Sequence, residues 1–339
     1  MLELYEREGA FETLEAWLAD ELRSDDVADV FLAYGLSEPM RREPWPSPPE
    51  PCRLPLLAAR KRCQTQERCL TPVRVGEWEP SWSAEDHAAA VEEVRAAIAR
   101  GDVYQVNVVQ HLSAPYEGSA DGLAAALAPL RPLHPRPLAG DGWAIVSASP
   151  ELFLARRGNR LLTKPIKGTR PAGEDIDDAK DAAEHVMIVD LERNDLSRVC
   201  EVGSIRWPEL MTQHELAGVT HLVSTVEGTL RPDATLADIL RATFPGGSVT
   251  GAPKIAAIDQ IARLEPVGRG ASMGALGTIR PGGDFELALT IRTFALVEGR
   301  VHLWVGGGIV WDSDAEAEIE ESWVKARPLL ARLAAPAVV

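Results

Sequence analysis

Cysteine is scarce in this chain, with four among 339 residues, at Cys52, Cys63, Cys69 and Cys200. None forms a C-x-x-C pair and no histidine lies near Cys63 and Cys69, so a structural zinc cluster is not expected. Free thiols in a reducing cytoplasm are the simplest account. Long hydrophobic runs are also missing: no stretch approaches the roughly 18 apolar residues of a membrane span. The opening "MLELYEREGAFETLEAW" is acidic and amphipathic, with neither a basic nor an apolar segment of the signal-peptide kind. Basic residues are in deficit, 35 against 51 acidic ones, for a formal charge of −16. A field of that sign repels nucleic-acid phosphate and anionic membranes, so neither is an expected partner. Any anionic substrate then needs a locally positive site or a bound cation. What remains is ordinary for a soluble globular chain, with 45% hydrophobic and 25% charged residues.

Several catalytic signatures are absent too. The chain has no His-rich metal motif, no G-x-S-x-G elbow and no Cys–His nucleophile setting. Two glycine-rich stretches fail as nucleotide loops. "GGSVTGAPK" has Gly251-Ala252-Pro253-Lys254 where a phosphate loop needs Gly-Lys-Ser/Thr, and "VGGGIVW" has Trp311 where a third spaced glycine would stand. Both read as tight turns between strands and helices.

The elements that are present point to an α+β chain. Proline-dense residues 39–55 cannot form a regular helix or a central strand and set off a short N-terminal region, 1–75, from the rest, 76–333. Ser83 can cap a helix whose apolar positions Ala90, Val94, Ala97 and Ile98 lie on one face and which stops at Gly101. "VYQVNVVQHLSA" alternates as a strand, and "WAIVSASPELFLARRGNRLLTKPIKGT" reads as two strands joined at "RRGNR". "SMGALGTIRP", "FELALTIRTFALVEG" and "RVHLWVGGGIVW" read as three more. Short turns between consecutive strands favour antiparallel pairing.

Carboxylates stand out on two predicted helices. Positions 181, 184, 188, 191 and 195 share one face, mixing Asp181, Glu184 and Asp195 with Ile188 and Leu191. A carboxylate on an apolar stripe must be paired, protonated or bound to a metal. An acid near a helix start is also favoured by the dipole, and that plainer reading stands beside the functional one. The last helix carries Glu318, Glu321 and Lys325 as a polar stripe, which reads equally as a solvated face with an i,i+4 Glu321–Lys325 pair. Pro328 is expected to end or kink this helix.

Taken in order, "GDVYQVNVVQ", "SASPELFL", "TKPIKGTRPAG", "AEHVMIVDLERNDLSRVC", "VTHLVSTVEGTL", "TFPGGSVTGAPK", "LTIRTF" and "GGGIVWDSDAEAEIEESWVKA" resemble the chorismate-utilising enzymes over about residues 76–330. The resemblance implies two large, mainly antiparallel sheets packed as a sandwich with helices outside. It assigns Mg²⁺ to Glu184 and Glu321, with Asp181 and Glu318 nearby; a hard cation held by carboxylates suits that metal. It places Arg292, Ser248, the Gly306 amide, Lys325, Gln105 and Thr169 against the substrate, with His221 facing it. Glu151 matches a general acid that protonates the departing 4-hydroxyl, which requires a raised pKa.

Two positions separate the chemistries of that family. Isochorismate- and salicylate-forming members carry lysine where Gln105 stands and use it to activate water. Anthranilate-forming members typically show alanine where Lys167 stands, and lysine there resembles the aminodeoxychorismate branch. In that branch the lysine amine either attacks C2, for which it must be neutral and its pKa lowered, or acts as a charge that bars C2. The resemblance implies chorismate as substrate, ammonia from a separate glutamine amidotransferase subunit, and a downstream aminodeoxychorismate lyase on the way to 4-aminobenzoate and folate. An anthranilate-type or 2-amino-2-deoxyisochorismate enzyme, and a binding subunit without turnover, are the alternatives. Departures from the family pattern are the short N-terminal region, the abbreviated link between Lys167 and Glu184, and Ser272 where an aromatic usually packs beside the substrate.

Overall fold

A computed structural model describes residues 1–62, 70–171, 179–216 and 219–334. Its helices are α1 (Ala10–Glu21), α2 (Ala84–Arg100), α3 (Ala120–Leu127), α4 (Ala179–Ser197), α5 (Leu236–Thr243), α6 (Lys254–Leu264) and α7 (Ala315–Ala334). The first strands are β1 (Leu2–Leu4), β2 (Ala28–Leu32), β3 (Leu57–Lys61), β4 (Arg74–Val75), β5 (Glu79–Pro80) and β6 (Gln105–Glu117). The next are β7 (Leu138–Gly140), β8 (Trp143–Ser147), β9 (Leu152–Arg157), β10 (Arg160–Lys164), β11 (Ile166–Pro171) and β12 (Arg206–Leu216). The last are β13 (Val219–Thr229), β14 (Gly251–Ala252), β15 (Ala275–Ile279), β16 (Phe285–Leu289), β17 (Thr293–Val297) and β18 (Arg300–Ile309).

The strands form two antiparallel sheets, so the α+β expectation holds. One runs β1-β3-β2-β15-β16-β9-β10-β13-β11 with β12 on β13, the other β14-β6-β18-β17-β8-β7 with β4 and β5 on β6. Strand alternation builds the sandwich. Ile145, Ala295 and Trp304 of the second sheet share a core with Val30, Leu154 and Leu287 of the first. Their neighbours Val146, Phe294 and Leu303 turn the other way, onto Leu123 and Leu127 of α3 and Ala326 and Leu329 of α7. The short N-terminal strands are part of this frame, since β2 pairs along its whole length with β15.

Local signals explain several boundaries. The Ser83 hydroxyl accepts the Asp86 amide at 3.0 Å at the start of α2, and Gly101 ends it at φ 81°. Four strand expectations need correction. "WAIVSASPELFLARRGNRLLTKPIKGT" is four strands, β8 to β11, because Ser149 and Pro150 break the first half and Pro165 the second. "FELALTIRTFALVEG" is two, interrupted at residues 290–292, where Arg292 takes a left-handed φ of 49°. Strand β12 went unpredicted, its alternation blurred by Pro208 and two register shifts against β13. The strand reading of "RVHLWVGGGIVW" holds and the turn reading of its "VGGGIVW" end does not: Gly306, Gly307 and Gly308 lie within β18, paired with Val109, Val108 and Asn107. Helix α7 also runs on through Pro328. The proline is exposed, so the carbonyl it displaces faces water, while buried Leu329 and Leu333 hold the final turns down.

Candidate active site

Lys167 sits in β11, the strand at the margin of the larger sheet, opposite Leu222 of β13. The following Gly168 is left-handed at φ 61°, and the pairing register shifts between Lys167 and Arg170. That irregularity turns the lysine toward α4, where its amine meets Glu184 Oε1 at 2.9 Å. The same oxygen accepts Gln105 Nε2 at 2.7 Å. Three residues distant in sequence are thus joined at one carboxylate. Gln105 is 1% exposed, and its Oε1 has no partner among the described residues. A buried acceptor without a protein donor can take a hydrogen-bond donor or lie beside a cation.

The glycines of β18 make the room. A Cβ on Gly308 would stand 1.8 Å from Gln105 Nε2 and 3.1 Å from Glu184 Oε1. On Gly307 it would lie 3.4 Å from each of Glu318 Oε2, Glu321 Oε1 and Lys325 Nζ. Acids from α4 and α7 therefore close over bare backbone. Lys325 pairs with Glu321 at 2.6 Å and donates to the Gly306 carbonyl at 3.0 Å, and Glu318 accepts the Ser313 hydroxyl at 2.6 Å. The carboxylates of Glu184, Glu318 and Glu321 offer only oxygen donors, the type that suits a hard divalent cation, but Glu184 and Glu321 are paired with lysines here and no cluster of three or more ligating side chains is assembled among the described residues. The glycines had no sequence signal beyond their own run; only the paired strand shows what they admit.

Electrostatics distinguish the two acids nearest Lys167. Burial pushes the carboxyl of Glu184 up, but Lys167 and Gln105 outweigh it and hold Glu184 below the usual range. Burial would lower the Lys167 amine, yet Glu184 and then Glu151 hold it above the ordinary lysine value. The expectation of a lowered lysine pKa is thereby corrected: its acidic partners dominate desolvation. Glu151 is 4% exposed and shifts the other way, burial raising it against Lys167, the Ser248 hydroxyl, the Ile166 amide and Arg292. The Ile166 amide donates to Glu151 Oε1 at 3.3 Å. Such a carboxyl keeps its proton where an exposed one would not.

The strand break at residues 290–292 brings Arg292 to this acid. Burial lowers the guanidinium and Glu151 opposes that shift. Ser248 comes from the turn after α5. His221 lies across β13, its Nδ1 donating to the Gly168 carbonyl at 3.1 Å, and burial holds its pKa down. Lys167, Glu184, Gln105, Glu151, Ser248, Arg292 and His221 thus form one connected group, with Gly306, Glu318, Glu321 and Lys325 on its β18 side. The side chains of Thr169 and Asp181 lie outside the described residues. Asp195, from the same predicted stripe as Glu184, is elsewhere occupied: it pairs with buried Lys254. Ser272 is fully buried, donating to the Thr290 carbonyl at 3.2 Å. A separate cavity of about 230 Å³, lined by Arg62, His134, Arg136, Thr278 and Glu286, contains none of the candidate site residues.

Residues 52–331 match the family described as chorismate binding enzyme. The chain belongs to that family. It is 38% identical over 285 residues to aminodeoxychorismate synthase component 1 of Klebsiella aerogenes, covering 80% of this chain and 62% of that protein. It is 41% identical over 268 residues to anthranilate synthase component 1 of Thermus thermophilus, covering 75% and 57% respectively. Anthranilate synthase component I from Streptococcus pneumoniae superposes with a TM-score of 0.79 at 28% identity, over 91% of this chain and 81% of that one. The chain spans about 60% of the length of the two sequence relatives, 62% and 57%. This family member is similar to both amination branches to the same degree, so overall likeness does not choose between them. No helix among the described residues is long and apolar enough to cross a membrane.

Proposed function

We propose that the chain is a synthase subunit converting chorismate and ammonia to 4-amino-4-deoxychorismate in the cytoplasm, with residues 76–333 as its catalytic part. The observation that carries the reading is Lys167 at the shared carboxylate of Glu184, beside buried Glu151, with Gln105 where a water-activating lysine would be required for the hydrolytic branch. Glu151 retains a proton by burial and gives it to the departing 4-hydroxyl. Arg292, Ser248, Lys325 and the Gly306 backbone orient the substrate carboxylates, and His221 lines the approach. Glu184 and Glu321, with Glu318 and Asp181 beside them, would hold Mg²⁺. When bound, that ion supplies fixed positive charge for a substrate carboxylate in a strongly acidic protein. Lys167 acts at C2, either as a charge that keeps nucleophiles away, the role its raised pKa favours, or as the nucleophile that ammonia at C4 later expels, for which the amine must first give up its proton.

Ammonia would come from a separate glutamine amidotransferase subunit, a reading supported by the relatives' description as component 1. The product passes to a lyase for 4-aminobenzoate and folate. The second reading, anthranilate formation, has the Thermus relative in its favour and Lys167 against it. Lys167→Ala tests the choice. It is expected to cut C4 amination by about a hundredfold or more, the scale of losing an active-site acid–base or nucleophilic group. Unchanged turnover removes the lysine from the mechanism.

A further inference from the structure

Glu192 lies about two turns beyond Glu184 on α4 and is 3% exposed. Its Oε1 accepts the Gly247 amide at 3.0 Å, while its equally buried Oε2 has no partner among the described residues. Gly247 is pressed onto the helix: a Cβ there would stand 2.5 Å from Leu191 Cδ2 and 3.1 Å from Glu192 Oε1. One turn further, Asp195 holds Lys254, whose amine also donates to the Thr243 carbonyl at 2.9 Å. Helix α4 therefore pins residues 243–254 near both ends and in the middle. The middle contact is the one adjoining Ser248, whose hydroxyl lies near enough to the Glu151 carboxyl to oppose the rise that burial gives it.

We infer that Glu192 is a positioning residue for the proton donor, its Oε1 fixing the Gly247–Ser248 turn and through it the Ser248 contact to Glu151. The inference rests on the proposed role of Glu151. Burial, and then Asp195, push Glu192 up to about 7, so near neutrality it is protonated in part, and in either form its Oε1 can accept from Gly247. Partial protonation lowers the cost of a second buried negative charge beside Asp195. A hydrophobic residue would fill the same space but leave the Gly247 amide without an acceptor.

Amide exchange read by mass spectrometry over residues 245–252 tests the anchor without reference to activity. Glu192→Met, which keeps volume but no amide acceptor, and Glu192→Ala are expected to speed exchange there by about tenfold. Glu192→Gln, which retains a carbonyl oxygen for Gly247, is expected to exchange like the wild type. In chorismate consumption with Mg²⁺ and ammonium, Glu192→Met lowers kcat/KM about tenfold and Glu192→Gln restores it. Added to Ser248→Ala, Glu192→Met costs little more, because both act through one contact. Unchanged exchange in Glu192→Met and Glu192→Ala overturns the inference, as does a glutamine variant as impaired as methionine or a fully additive double mutant. A wild type that consumes no chorismate refutes the proposed function instead, and the exchange result still decides whether Glu192 anchors the turn.

Discussion

Gly308 shows how much a missing side chain contributes to this site. Its bare Cα lets Gln105 reach Glu184, and the nearest atom a methyl group would strike is the mobile end of Gln105 at 1.8 Å. Gly308→Ala therefore displaces that amide from Glu184 while leaving the strand paired. The expected outcome is a loss of activity of about tenfold or more with a melting temperature within a few degrees of wild type. Loss of fold together with activity would show that Gly308 serves strand packing. At this scale the sequence was informative where chemistry demands a rare residue type. Glu184 stood out as a carboxylate on an apolar stripe, where charge is costly, whereas Lys167 and Glu321 were marked only by the family resemblance. Glycine carries no such mark, and Glu192 looked like one more acid on a helix of mixed character.

Elements place these residues, and the loop behind helix α6 does so through a buried ion pair. Glu265 and Arg269 are both fully enclosed, paired at 2.7 Å. Arg269 also donates to the carbonyls of Val249 and Asn107, at 2.8 and 2.7 Å, and Glu265 accepts the Val109 amide at 3.0 Å. This pair ties β6, which carries Gln105, to the turn that carries Ser248. Arg269→Ala leaves the buried Glu265 carboxylate without its counter-charge and two carbonyls without their donor, and is expected to cost about 3–5 kcal/mol in urea unfolding. A cost below about 1 kcal/mol would mean the clamp is dispensable.

Helix α2 and its cap could be read directly from Ser83, Gly101 and the apolar spacing. The break before Arg292 could not. "FELALTIRTFALVEG" is an unbroken run of strand-forming residues without glycine or proline until its end. The left-handed φ of Arg292 comes from tertiary packing, with the Arg292 carbonyl taken by the Ala148 amide at 2.9 Å.

The whole molecule has an acid-sensitive seam within its smaller sheet. His111 Nε2 and His302 Nδ1 are 3.0 Å apart, and His111 Nδ1 meets the Ser81 hydroxyl at 2.5 Å. Burial above all, with their mutual repulsion and Arg300, pushes His111 down to about 3; burial and Arg300 push His302 down to about 4. Their folded pKa values lie below the unfolded value of roughly 6.5, so the unfolded state binds protons first on acidification. Their contribution is fully present above about pH 6.5 and is lost progressively as pH falls toward 4. Each can account for about 2 kcal/mol of lost stability at pH 5. His302→Gln should flatten the fall in unfolding free energy between pH 7 and pH 5; an unaltered slope would place the sensitivity elsewhere.

At the same scale the −16 charge and the acids over Gly307 and Gly308 converge on one requirement. An anionic substrate would enter only where positive charge offsets that field, and the proposed function assigns this to Arg292, Lys325 and a bound Mg²⁺. The most direct measurement is incubation of the protein with chorismate, Mg²⁺ and an ammonium salt, with products separated and identified by mass and ultraviolet spectrum. The account predicts 4-amino-4-deoxychorismate, convertible to 4-aminobenzoate by an added lyase. Anthranilate as the main product, or chorismate left unconsumed, would contradict it.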